Sequence, residues 1–265
     1  MSGTTLATVI RRRNRLLAAL SAIARDRVLP HMQLVLLSSG EVLHEAGNSP
    51  RHIYFPVDAI VAVLHVLDSG ATAEIALVGN EGLIGISSLM GGNGMPSRAV
   101  VLCGGYAYRL PTQRVREEFA RSGEAQQLLL RYILSQMAEV GQTAVCNRHH
   151  SIHQQLCRWL LLALDRLPVD RVTISQETIG GMLGVRRESV NEAAGTLQKH
   201  GVIEQCYGHI VVRDRAKLEQ LSCECYAALK KETDRLLPRP DPAKPGTRRW
   251  ATSWSGHTGA TSHSP

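Results

Sequence analysis

No stretch of this chain runs for the ~18 uncharged apolar residues that a membrane-crossing helix needs, and Met1 to Arg13 holds no apolar block of signal-peptide length. Both absences make the cytoplasm the expected compartment. The six cysteines (Cys103, Cys146, Cys157, Cys206, Cys223 and Cys225) lack the spacing of a small secreted scaffold, so reduced thiols are expected rather than disulfides. No Walker loop, dinucleotide fingerprint, nucleophile elbow or zinc-protease helix is present. Gly91-Gly92-Asn93-Gly94 has no Lys-Ser/Thr after it and reads as a turn. An enzyme is therefore not expected, and no catalytic residue is assigned.

The formal charge of +7 suggests affinity for nucleic acid, but its distribution weakens the point. Residues 1–112 carry +2, residues 113–150 carry +1, residues 151–237 carry +1 and residues 238–265 carry +3. The local placement of charge has to carry the argument.

From Leu34 to Leu110 short apolar runs alternate with glycine-rich turns: Leu34 to Leu37, Ile53 to Phe55, Ile60 to Val66, Ile75 to Val78 and Ala99 to Leu102. This spacing predicts an all-β roll or barrel. One helix is expected before it, Arg11 to Ala24, with Leu16, Leu17, Leu20 and Ile23 on one face. Past Pro111 the period becomes helical for about fifty residues, with a break expected near His150-Ser151. Leu129, Ile133, Gln136, Val140, Thr143 and Asn147 alternate spacings of four and three, the seam pattern of a coiled coil, which predicts a homodimer helix. Ser151 to Leu167 reads as the next helix. The Pro-, Gly- and Ser-rich tail after Leu237 is expected to be disordered.

Function is carried by the segment Ser175 to Lys199. Ser175 suits an N-cap, Ile179, Met182 and Leu183 form the inner face of a short helix, and Gly184 supplies a tight turn. A second helix from about Arg186 buries Val190, Ala194 and Leu197 and turns Arg187, Glu188, Asn191 and Glu192 outward. Two short helices joined through glycine predict a helix-turn-helix, whose second helix enters the major groove with its N-terminal end against base edges. Arg187 matches guanine O6 and N7, Glu188 a cytosine amine and Asn191 adenine, while Ser175, Ser189 and Lys199 suit phosphate. Gly201 then opens Val202 to Tyr207, and Gly208 turns the chain into His209 to Val212, a hairpin wing with His209 near its tip as a further phosphate contact. Asp214 reads as the N-cap of one last helix holding Leu218, Leu221, Tyr226 and Leu229.

Residues 12–236 resemble the Crp/Fnr family of bacterial regulators, most specifically in Gly184-Val-Arg-Arg-Glu-Ser-Val190, which is similar to the family's glycine, two variable residues and Arg-Glu-Thr-Val. The resemblance implies an α+β chain: a double-stranded β-helix (jelly-roll-like) sensor over 1–112, a dimerisation helix over 113–150, a winged helix-turn-helix over 151–236 and a tail over 237–265. It implies base-reading roles for Arg187 and Glu188 and a phosphate role for Ser189, with Arg186, Asn191 and Glu192 on the same DNA-facing surface. Double-stranded DNA, a second copy of the chain and RNA polymerase are the implied partners.

In the sensor, Asn80-Glu-Gly-Leu-Ile-Gly85 stands where family members place their nucleotide pocket, which would involve Gly85, Ile86, Ser97 and Arg98 here. Ile86 replaces the glutamate that holds ribose in the cyclic-nucleotide binders, and Ser97-Arg98 reverses their Arg-Ser pair. An unpaired ribose hydroxyl costs on the order of 1 to 3 kcal/mol, so cyclic AMP is not the expected effector. No iron-sulfur cluster is expected either, since the first cysteine is Cys103, and no haem is expected. Cys146, His149, His150, His153 and Cys157 recur at helical spacings, but they fall in the expected hinge, where polar histidines need no metal. Cys223 and Cys225 read as packing residues, and no metal ligand is assigned. A different class of function, a small-molecule or redox receptor with a degenerate helix-turn-helix acting through protein contacts, is the alternative reading.

Overall fold

The computed structural model describes residues 14–91, 94, 96–167, 171–206 and 208–237. The tail expected to be disordered lies outside them. The chain opens with two short helices, α1 (Arg15–Ala19) and α2 (Ala22–Val28), where one was expected. Ser21 divides them because its side chain accepts from the Ala24 N–H at 3.3 Å and starts a new helix there. Ile23, expected on the buried face, is 71% exposed as a result.

Seven strands follow: β1 (Gln33–Leu37), β2 (Val42–His44), β3 (His52–Pro56), β4 (Ile60–Val66), β5 (Thr72–Val78), β6 (Ser97–Cys103) and β7 (Gly105–Pro111). They form two antiparallel sheets ordered β1-β7-β3 and β2-β6-β4-β5. The inner faces meet in a cluster of small and β-branched side chains, with Leu37 and Ala107 from one sheet and Val61, Val78, Ala99 and Val101 from the other.

Strand β4 is apolar without a break from Ile60 to Leu64 because both of its faces are covered there. Val61 points into the roll, while Ile60, Ala62 and Leu64 join Leu77 and Leu102 under the helices that follow. The other sheet is covered by α1, α2 and the long helix through Leu16, Leu17, Val28, Ile53, Phe55, Leu128 and Tyr132.

The helical stretch expected as a single element over 113–150 is two helices, α3 (Thr112–Ala120) and α4 (Glu124–His149). Between them Ser122 takes the left-handed conformation at φ 53°, which breaks the helical ladder. The long helix ends at His150, and α5 (Ile152–Arg166) restarts under a capping box in which Ser151 and Gln154 satisfy each other's backbone N–H groups. After α5 come β8 (Arg171–Thr173), α6 (Gln176–Leu183), α7 (Arg187–Lys199), β9 (Ile203–Cys206), β10 (His209–Val212), α8 (Arg215–Leu221) and α9 (Glu224–Leu236). The expected single last helix is therefore also two, parted at Ser222-Cys223, where the chain turns extended.

Two polar contacts lock α5 onto the roll. Arg166, buried, donates from Nε to Glu81 at 2.8 Å and from Nη2 to the Glu139 carboxylate at 3.1 Å. Trp159 donates its indole N–H to Glu74 Oε2 at 2.9 Å, deep under β5. Burial pushes the Glu74 carboxyl up to about 7 from an ordinary 4.5, against the pull of the Trp159 hydrogen bond.

A carboxyl with a raised folded pKa contributes stability that is fully present below about pH 4.5 and lost as pH climbs through about 7. Across that window Glu74→Gln should gain on the wild type by on the order of 3 kcal/mol, because a neutral amide has no proton to lose. Urea unfolding of both proteins as a function of pH reads this out; a constant offset would mean that Glu74 does not titrate there.

Candidate nucleic-acid interface

Helix α6 begins at Ser175, whose Oγ accepts from the Thr178 N–H at 3.0 Å, and ends at Gly184 with φ 66°. The turn to α7 is held by the Val185 N–H donating to the Gly180 carbonyl at 2.9 Å. A Cβ at Gly180 would stand 3.0 Å from the Val185 carbonyl oxygen, so glycine permits this close approach. Helix α7 has Arg186 as its N-cap and buries Val190, Ala193, Ala194 and Leu197. Its other face is open, with Arg186, Arg187, Glu188, Asn191 and Glu192 exposed and Ser189 half-buried.

These side chains fall on the first two turns, one contiguous patch at the N-terminal end of the helix. Lys199, also exposed, is twelve residues past Arg187, about 18 Å along the axis, and belongs to the far end of the surface.

Strands β9 and β10 form the hairpin, and β8 adds a third strand that the sequence did not signal, in the order β8-β10-β9. Gly208 turns the hairpin at φ 75°. Gln176 donates to Gln205, and Gln198 accepts from the Gln205 N–H at 3.2 Å, so both helices of the motif fix the hairpin's position. His209 sits just after the turn, half-buried, opposite Cys206 and Thr173.

The other expected site residues are dispersed. Gly85, at φ 99°, lies against Pro50, His52 and Ile53, and Ile86 packs with the cluster around Ile53 and Phe55. Ser97 and Arg98 stand on β6 in the other sheet, with Ser97 buried and Arg98 3.2 Å from the Glu45 carboxylate.

On α4 the expected seam is corrected at two positions. Leu129 and Thr143 are buried against the rest of the same chain, since that face covers the roll and α5. Ile133 and Gln136 are half-buried, and Val140 is exposed. The apolar residues left open are Leu130, Leu134, Met137, Val140 and Val145, a stripe mostly one position further on.

The cysteine and histidine residues also regroup. His149 is exposed and Cys157 lies in the core, while Cys146 and His150 come together with Cys223 and Cys225. Reading along one helix missed this set because two of its members come from the end of α4 and two from the start of α9.

Residues 34–122 match the cyclic nucleotide-binding domain, and residues 154–221 match the Crp-like helix-turn-helix domain. Among solved structures the chain is similar to FixK2 from Bradyrhizobium japonicum, with 16% identity, a TM-score of 0.61 and coverage of 72% of this chain and 98% of that one. It is also similar to a CRP-family transcriptional regulator from Thermus thermophilus, with 22% identity, a TM-score of 0.60 and coverage of 71% and 96%. The c-di-GMP-responsive global regulator CLP of Xanthomonas campestris shares the fold at 14% identity and a TM-score of 0.57, with coverage of 72% and 99%. No curated protein matches the sequence. With both domain types matched in order along more than half its length, the chain belongs to the Crp/Fnr family of transcription regulators. It is a DNA-binding transcription regulator of the Crp/Fnr type.

The turn between α6 and α7 gives a local test. Gly184→Ala places a Cβ in the left-handed region and should cost about 1 to 2 kcal/mol in denaturant unfolding, with Gly184→Asn costing less. Equal stabilities for all three would contradict the left-handed turn.

Proposed function

We propose that two copies of this chain bind a near-palindromic DNA site in the cytoplasm, with their two α7 helices in successive major grooves about one helical turn apart. The observation that carries this reading is the open N-terminal face of α7, where Arg187, Glu188 and Asn191 project together from a helix whose opposite face is buried. Arg187 forks onto guanine, Glu188 accepts from cytosine and Asn191 pairs with adenine. Ser189, Lys199 and His209 hold phosphate, as does Ser175 where its capping bond leaves a lone pair free, and Arg186 and Glu192 border the same surface. The apolar stripe Leu130, Leu134, Met137 and Val145 on α4 packs against its counterpart in the second copy. Regulation then runs through contact with RNA polymerase or exclusion of it, and the chain catalyses no reaction.

The effector is not cyclic AMP. Ile86 offers no acceptor to a ribose hydroxyl, and Arg98, the cation expected from the resemblance to meet a phosphate, faces Glu45 at 3.2 Å. The likeness to the c-di-GMP-responsive regulator supports a roll of this kind serving other ligands.

The test is selection of DNA from a random pool by the purified protein. An enriched inverted repeat is expected, and Arg187→Ala should bind it more weakly by about 1 to 3 kcal/mol, with relaxed preference at one base pair per half-site. Equal weakening on every sequence would reduce Arg187 to a phosphate contact and overturn its base-reading role.

A further inference from the structure

We propose that Cys146, His150, Cys223 and Cys225 bind one zinc ion in a tetrahedral site of three sulfurs and one nitrogen, joining the end of α4 to the start of α9. Their ligand atoms all lie within 4.8 Å of one another. Cys146 is on the last turn of α4, and His150 caps that helix with its N–H on the Cys146 carbonyl at 3.0 Å. Cys223 caps α9, and Cys225 is on its first turn. Two elements remote in sequence thus each present two ligands.

The separations are those of a single ion. Zinc bonds of about 2.3 Å to sulfur and about 2.0 to 2.1 Å to nitrogen put two tetrahedral thiolates about 3.8 Å apart, and a thiolate and imidazole nitrogen about 3.5 Å apart. Cys146 Sγ is 3.6 Å from Cys223 Sγ, and Cys225 Sγ is 3.5 Å from His150 Nδ1. An iron-sulfur cluster distributes its ligands over two or more irons and needs a wider set than this one.

The surroundings match a metal site in three further respects. With Nδ1 on the ion, His150 Nε2 carries the proton and faces Glu224 Oε2 at 3.3 Å, the carboxylate partner that orients ligating histidines. Gln142 Nε2 donates to Cys225 Sγ at 3.0 Å, a bond that stabilises a thiolate. Three thiolates and Zn2+ leave one negative charge, and the buried Arg158 guanidinium on α5, with its Nε unbonded among the described residues, supplies a positive one, held by its Nη1 donating at 3.1 Å to Oγ1 of Thr143, one turn before Cys146. Plain packing accounts poorly for the group, because the three cysteines form a buried cluster of their own with no aliphatic member.

On binding, the three thiols release their protons and the neutral imidazole donates its Nδ1 lone pair, so no oxidant is involved. The ion ties the two elements across the break at His150, where the DNA-binding half leaves the long helix. This inference does not rest on any assignment of base contacts.

The experiment is elemental analysis of full-length protein purified without chelator from zinc-supplemented medium, followed by cobalt titration of the metal-free protein. One zinc per chain is expected, with cobalt giving the intense ligand-field bands of tetrahedral coordination and thiolate charge-transfer bands. Cys146→Ser and Cys223→Ser should lose at least tenfold in metal affinity, Cys206→Ser, on the wing, should lose none, and His150→Cys should keep the ion with stronger charge-transfer absorption. Chelator should lower Tm for the wild type and leave that of Cys223→Ser unmoved. Full metal content in both serine variants would overturn the proposal, and so would a metal-free wild type that takes up no cobalt or carries a Cys146–Cys223 disulfide.

Discussion

A guanidinium taken out of water must be surrounded by acceptors, and Arg166 meets that demand only because three parts of the chain converge on it. Glu81 comes from the loop after β5, Glu139 from the long helix, and the Leu162 carbonyl, accepting from Nη1 at 2.9 Å, from α5 itself. Burial works against the Arg166 charge, but Glu81 and Glu139 outweigh it and hold the guanidinium protonated. The carboxylates are secured in turn, Glu139 by the Leu77 N–H at 3.2 Å and Glu81 by the Gly79 N–H at 3.2 Å. Removing one member of such a set costs about 3 to 5 kcal/mol because the others stay buried and unpaired. An apolar cluster tolerates some sliding, whereas this network specifies one docking of roll, long helix and DNA-binding half.

From that docking the exposed surfaces follow. With α5 pinned to β5 through Trp159 and to the loop after it through Arg166, α6 packs its Ile179, Met182 and Leu183 into the same core that covers Ile60, Leu64 and Leu77. That leaves the N-terminal face of α7 turned outward. The long helix gives its Leu128, Leu129 and Tyr132 side to the roll, and its remaining apolar stripe is available to a second copy. His150, where the long helix stops, is flanked by the thiols of Cys146 and Cys225, so the break between α4 and α5 is a polar junction rather than a plain loop.

Strands with strong apolar character were legible in sequence, as β4 at Ile60–Val66 shows, and so were the helix starts marked by Ser151, Ser175 and Asp214. Strands β2, β7 and β8 were not, because their half-exposed or mixed residues give little periodic signal and they depend on partners distant in the chain. Long helical patterns were read through their breaks at Ser21, Ser122 and Ser222-Cys223, since apolar spacing continues across a cap. The seam erred for a related reason. Two four-three ladders overlap on α4, and sequence alone does not say which one the chain buries against itself. The open face of α7 was legible because glycine, caps and apolar spacing agree locally, whereas the thiol and imidazole set joins Cys146 to residues 77 or more positions away.

Hydrogen exchange of Arg166→Met tests the docking directly. If Arg166 holds three parts together, amides around Glu81, around Glu139 and in Gln176–Leu183 should lose protection together while the far sheet of the roll, β1-β7-β3, keeps its own. Loss confined to Ile152–Arg166, with the other segments unchanged, would contradict a shared buried network and leave apolar contact alone to set the arrangement.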